Sequence, residues 1–155
     1  MDNKGGRGMK ITDALLGEHG VFYAQFTHLE QVLPHTETVG EVHAQAALLA
    51  AALATHARLE EDVLFPSLDP HLGPMGPLAV MRAEHNEIEG TLSRIPNVDD
   101  LVEARGLLVH ALQVARQHFA KEEQVLFPMA GQILGEETLT QLGAQWAERR
   151  SVSVL

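Results

Sequence analysis

The chain has no cysteine. Disulfides, thiolate metal sites and iron–sulfur clusters are therefore excluded. Positive charge is scarce: 11 Lys and Arg stand against 21 Asp and Glu, a formal net charge of -10. No basic stripe is present that could neutralise phosphates, which argues against a nucleic-acid partner, and the acidic excess suits solubility. No apolar run approaches the ~18–20 residues that a membrane span needs, so no membrane partner is expected. No segment alternates apolar and polar residues convincingly enough to be a strand. Residues 1–10 carry Gly5, Gly6 and Gly8 among charged residues without an apolar core. They read as a disordered tail rather than a signal peptide, and the expected location is the cytoplasm.

What the chain does have is histidine, 9 in 155 residues, in a length that suits one domain with a proper core. Two stretches nearly repeat each other. His56-Ala57-Arg58-Leu59-Glu60-Glu61-Asp62-Val63-Leu64-Phe65-Pro66 and His118-Phe119-Ala120-Lys121-Glu122-Glu123-Gln124-Val125-Leu126-Phe127-Pro128 share the pattern H-x-x-x-E-E-x-V-L-F-P. Each follows a helix-like segment with one His in an apolar stripe, His19 before the first copy and His85 before the second. The chain reads as two copies of one helix pair.

Five helices are predicted. The first spans about 12–33, capped by Thr12 or Asp13 and stopped by Pro34. Its stripe is Leu15, His19, Phe22, Phe26, Leu29 and Leu33. The second starts near Thr36 or Glu37 and ends at Pro66, and Asp69–Pro77 is read as the loop dividing the halves. The third starts near Pro77 and shows Leu78, Met81, His85, Ile88, Leu92 and Ile95 before Pro96. The fourth, capped by Asp99 or Asp100 and ending at Pro128, shows Leu108, Ala111, Ala115, His118, Glu122 and Val125. A short final helix covers about 136–149 with Leu139, Leu142 and Trp146. Stripes stepping by 3 and 4 face a common core, and short connections make neighbours antiparallel. The expected fold is all-α, an up-down-up-down antiparallel four-helix bundle with a short C-terminal fifth helix, over residues 11–150.

His19, His56, His85, His118, Glu60 and Glu122 each occupy a slot where the stripe expects Leu or Ile. Burying an unpaired carboxylate costs several kcal/mol, and divalent cations relieve that cost while accepting neutral imidazole nitrogens. A His and a Glu at i and i+4 share one helix face, with about 5–6 Å between Cβ atoms, so both reach one centre. Four imidazoles and two carboxylates suit two metals and leave open coordination positions. Glu89, one turn after His85, is a weaker candidate seventh ligand, and Tyr23, one turn after His19, a candidate neighbour of the metals. Glu18, Glu61, Glu84 and Glu123 flank the six in sequence and read as solvated faces. His28, His35, His43, His71 and His110 fit no pair and read as surface or rim residues, with His35 and His71 in loops.

With these residues the chain resembles the hemerythrin-like family of HHE cation-binding domains, whose pattern is His, His-x-x-x-Glu, His, His-x-x-x-Glu on a four-helix bundle. The likeness covers roughly 11–134. It implies that His19, His56, His85 and His118 are terminal ligands of two iron ions. Glu60 and Glu122 would bridge them alongside an oxo or hydroxo group. Oxygen carriers of that family have a second His one turn after the third-helix His, where this chain has Glu89, and space the last carboxylate differently from His118. The chain looks closer to bacterial hemerythrin-like and repair-type proteins, although it lacks the latter's cysteine-bearing segment. The implied function is binding or sensing of oxygen, nitric oxide or peroxide. A di-iron oxidoreductase (peroxidase, nitric oxide reductase or ferroxidase) and an iron-repair or regulatory module stand beside it. Imidazole with carboxylate also suits manganese or zinc, and a monomer and a homodimer are both compatible.

Overall fold

The computed structural model describes residues 8–154, all-helical apart from short connections, with no strand among them. Helix α1 spans Ile11–Val32, α2 Val39–Leu59, α3 Phe65–Leu72, α4 Pro77–Arg94, α5 Leu101–Lys121 and α6 Phe127–Arg150. None of these helices is long and apolar enough to cross a membrane.

Local chemistry sets several boundaries. Thr38 and Glu41 form a capping box that starts α2, slightly later than the sequence suggests. Asp100 accepts from the Glu103 N–H at 2.8 Å and starts α5 as expected. α1 begins one residue before its predicted cap, without a side-chain cap; its first residue, Ile11, is fully buried and anchors the entry. Most of the predicted tail, residues 1–7, lies outside the described residues. Its last part is not free: the Met9 carbonyl lies so close to Gly143 of α6 that a β-carbon there would overlap it, and Lys10 pairs with Glu136 at 3.2 Å.

The two Phe-Pro pairs do not end their helices as the sequence predicts. A π turn, Glu60–Leu64, carries the chain from α2 into α3, and a second, Glu122–Leu126, carries α5 into α6. In each, the N–H of the Phe bonds the carbonyl of the Glu five residues back, Phe65 to Glu60 and Phe127 to Glu122. The proline that follows stands in the first turn of the next helix, where a missing N–H costs little. Hence Asp69–Leu72, expected in a loop with His71, are helical, and the true connection is Gly73–Gly76, with Gly73 at φ 71. The final helix is longer than expected. It starts at Phe127 and breaks at Gly135, whose φ of 77 suits a residue without a side chain.

The predicted stripes of the first and third helices are buried throughout. In the fourth, Val125 is 51% exposed and Leu126 is buried; the residue added by the π turn brings the position after the stripe inward, as it does in the matching turn, where Leu64 is buried beside Val63. Two apolar cores result. One holds Phe22, Phe26, Leu53, Ile88 and Ala115; the other holds Leu15, Leu59, Met81, Leu126 and Phe127. On α1 the change from one core to the other falls between Leu15 and Phe22, on α2 between Leu53 and Leu59, and on α4 between Met81 and Ile88. His19, His56 and His85 sit at those boundaries, so a polar layer separates the two cores.

Candidate metal centre

That layer is built from the six residues the sequence singles out. Glu60 and Glu122 are 0% exposed, His19, His56 and His118 1%, and His85 8%. The two π turns open at Glu60 and Glu122, placing each carboxylate one turn beyond His56 or His118 on the inner face. His56 Nε2 lies 2.6 Å from Glu60 Oε1, and His118 Nε2 3.1 Å from Glu122 Oε1. His19 Nε2 is 3.4 Å from Glu122 Oε1, and His85 Nε2 3.4 Å from Glu60 Oε2. Short as these separations are, the four Nε2 atoms and all four carboxylate oxygens are buried without a hydrogen-bond partner.

The donor atoms fall into two groups, each within 4.8 Å: His19, His56, Glu60 and Glu122 in one, and Glu60, His85 and His118 in the other. Each group could hold a metal ion, with Glu60 common to both. Imidazole and carboxylate are the donors that suit iron, manganese or zinc, so the residues fit a metal pair.

Every one of the four imidazoles is tied at its other nitrogen. His56 Nδ1 bonds Glu18 at 2.8 Å, His85 Nδ1 bonds Glu61 at 2.8 Å, His118 Nδ1 bonds Glu84 at 3.2 Å, and His19 Nδ1 bonds Glu123 at 3.0 Å. An Nδ1–H donated to a carboxylate leaves the Nε2 lone pair facing inward, the tautomer a metal ligand needs. These four glutamates are the residues the sequence reading assigns to solvated faces. Each neighbours one of the six in sequence, and its side chain reaches across to the imidazole of the next helix. The signal was present in the pairs Glu18-His19, Glu60-Glu61, Glu84-His85 and Glu122-Glu123. A residue about 100° round the helix from an inward-facing one points at the neighbouring helix, not at water.

Glu18 has further partners that the sequence does not reveal. It also accepts from Trp146 Nε1 at 2.6 Å and from Arg150 Nη2 at 2.7 Å, both on α6. Burial pushes its carboxyl up, but the bonds from His56, Arg150 and Trp146 outweigh it and hold the group at about 2. Tyr23 does not enter the cluster; its hydroxyl donates to Glu123 Oε2. Glu89 is exposed and stands outside both donor groups. His28, His35, His71 and His110 are exposed, and His43 is half-buried, its Nε2 donating to the Val98 carbonyl at 2.8 Å.

Electrostatics within the layer are lopsided. Burial and the nearby His56 charge push His19 down to about 4. Burial also lowers His56, but Glu60 and Glu18 raise it to about 9. Burial and the Glu60 charge push Glu122 well above the carboxylate range. Two carboxylates this close in a dry layer do not both ionise unless positive charge is supplied.

The family described as the hemerythrin HHE cation binding domain has a model that matches residues 10–137. No curated protein and no solved structure matches.

Proposed function

We infer, from the premise that this chain belongs to the hemerythrin HHE cation-binding family, that its six buried donors hold two iron ions and bind or sense a small diatomic or peroxide ligand. The single observation behind this reading is the set of eight inward-facing, partnerless nitrogen and oxygen atoms in one buried layer. A polar atom left bare in such a layer costs about 1–3 kcal/mol; the close pairing of His56 with Glu60 answers only part of this, whereas cations answer all eight atoms together. His19, His56, Glu60 and Glu122 would hold one ion, and Glu60, His85 and His118 the other. Iron so bound supplies reversible one-electron chemistry to oxygen, nitric oxide or peroxide.

The chain's own residues then do three things. Glu18, Glu61, Glu84 and Glu123 fix each imidazole's orientation through Nδ1. Phe119, stacked on His19 at 3.8 Å between ring centres, and Phe65, stacked on His85, exclude water from either side. Four neutral imidazoles against two carboxylates leave the centre positive, which favours reduced iron and ligand binding over harsh oxidation. The fold that goes with this reading is the antiparallel up-down-up-down bundle, the part of α6 beyond Gly135 serving as its short fifth helix. Its support is the order of cross-links between α1 and α5, counted with the residues that directly follow each. Tyr23 reaches Glu123, Thr27 and Glu30 reach Arg116, and Thr36 reaches Arg105.

Metal analysis with an absorption spectrum of aerobically purified protein tests the reading. About two iron per chain with near-ultraviolet charge-transfer bands is the expected result. Zinc alone, or an empty site after growth in ample iron, would overturn it.

A further inference from the structure

Beside the donor layer lies a cavity of about 270 Å³ between α2 and α4. Its walls are apolar and, on α2, mostly small: Ala50, Ala54 and Ala57, with Leu53, face Ile88 and Leu92. His56, His85 and His118 line its inner end, and their Nε2 atoms are among those without a partner. Glu89 and Ser93, both exposed, mark its solvent end.

Two features decide what this cavity is for. The first is which donors it meets. Of the two groups, one has four donors and the other three. The cavity is lined by both imidazoles of the three-donor group but by only one member of the four-donor group, His56; His19, Glu60 and Glu122 do not line it. It therefore opens on the half of the centre with the greater room for an added ligand. The second feature is size. A single water needs only about 10–15 Å³ of such space, so a diatomic gas or hydrogen peroxide would leave most of it unfilled. A volume close to ~300 Å³ with an apolar lining and a few polar groups at its ends is the form of a site for a small organic molecule. The solvent end adds a charge restriction, since Glu89 and the net charge of -10 disfavour a carboxylate on the incoming molecule.

We propose that this groove binds the apolar body of an uncharged alkyl or aryl hydroperoxide, its peroxide group directed at the His85 and His118 half of the centre. The proposal rests on the reading of the six residues as a di-iron site and names the substrate class of that site. Reduction of such a peroxide breaks its O–O bond, consumes two electrons and two protons, and yields an alcohol and water. A ferrous pair held by the six donors would supply the two electrons, one per ion, and the protons would come from solvent.

The groove itself is tested without turnover. Cumyl alcohol, the unreactive product of cumene hydroperoxide, is titrated into the full-length chain in metal-free and zinc-loaded forms, and methyl resonances of Leu53, Ile88 and Leu92 are followed. Saturable shifts are expected in both forms. Ala54→Phe should weaken binding at least tenfold, and the milder Ala50→Leu several-fold, with zinc uptake and melting temperature close to the parent. The second readout is the rate at which the reduced iron-loaded parent chain is oxidised, with cumene hydroperoxide expected to outpace hydrogen peroxide at equal concentration. Absent shifts, binding by both variants as tight as the parent's, or a faster reaction with hydrogen peroxide would overturn the proposal. Failure of the di-iron reading shows differently, as missing metal in the parent chain while the metal-free titration still reports on the groove.

Discussion

The glutamate at position 18 is where one residue's role can be separated from mere packing. It joins His56 to Trp146 and Arg150. Glu18→Gln keeps the shape but loses the charge that orients His56, so metal affinity should fall by about 10–100-fold, read by competition with a chelator of known affinity. His43→Ala removes a bond to the Val98 carbonyl and should cost about 1 kcal/mol of stability while leaving metal affinity unchanged. Equal metal loss in the two variants would mean that Glu18 acts only by packing. Protons report on the same residues. His56, raised to about 9, carries its extra proton near neutral pH in the metal-free chain, and burial with the Glu60 charge favours the protonated form of Glu122. A metal must displace the His56 proton, so uptake at pH 7 should release at least one proton, seen with an indicator dye in weak buffer, and affinity should fall as pH drops. The signs for stability differ. For His56, raised from 6.5, the metal-free chain gains stability below pH 6.5 and loses it as pH rises through about 9. For Glu18, lowered from 4.5, stability is present above pH 4.5 and lost as pH falls towards about 2. The six clustered residues were legible in the sequence because each is a polar intruder in an apolar stripe. The glutamates that hold the imidazoles were less so, because a charged residue one step off the stripe looks the same whether it meets water or the next helix.

At the scale of elements, the π turns explain both what the sequence shows and what it conceals. Proline after a helix-length pattern normally means a stop. Here Pro66 and Pro128 each follow a turn in which the N–H pairing has already moved to the fifth residue back, so the chain stays helical through them. Periodicity of 3.6 cannot register an inserted residue of this kind, so the stripe selects Val125 where Leu126 is the buried residue; the loop reading of Asp69–Leu72 comes instead from Pro66 as a stop and the proline and glycine that follow it. The turn also has a purpose that can be tested, since Glu60 opens one and Glu122 the other. Deleting Asp62 removes an exposed residue from the first turn and forces Glu60 out of phase with Val63, Leu64 and Phe65, all buried. Metal uptake should drop about tenfold or more while far-ultraviolet ellipticity stays within a few per cent of the parent. Asp62→Ala, which loses only the exposed carboxylate and its pairing with Arg149, should bind metal as the parent does. Full uptake by the deletion variant would show that the π turn does not place Glu60.

Across the whole molecule, two apolar cores are joined through a layer that is stable only when its charges are answered. An unpaired buried ion group is among the costliest features a fold can carry, and this chain buries six titratable side chains in one cluster. The cores on either side have no such conflict, so the global stability of the chain should be governed by the layer. Metal binds the folded layer and not the dispersed ligands of the unfolded chain, so stabilisation follows mass action: about 4 kcal/mol at a free metal concentration of 1,000 Kd. For a chain of 155 residues each kcal/mol moves Tm by roughly 2–4 °C, which puts the rise on metal loading at roughly 8–16 °C. Differential scanning calorimetry of chelator-stripped and iron-loaded protein measures it directly. Glu60→Ala, which removes the carboxylate common to both donor groups, should abolish most of the rise without a comparable loss in the stripped state, because it also removes a buried charge. A stripped chain that melts with the loaded one would mean that protons alone satisfy the layer, and that the donors converge for a reason other than metal.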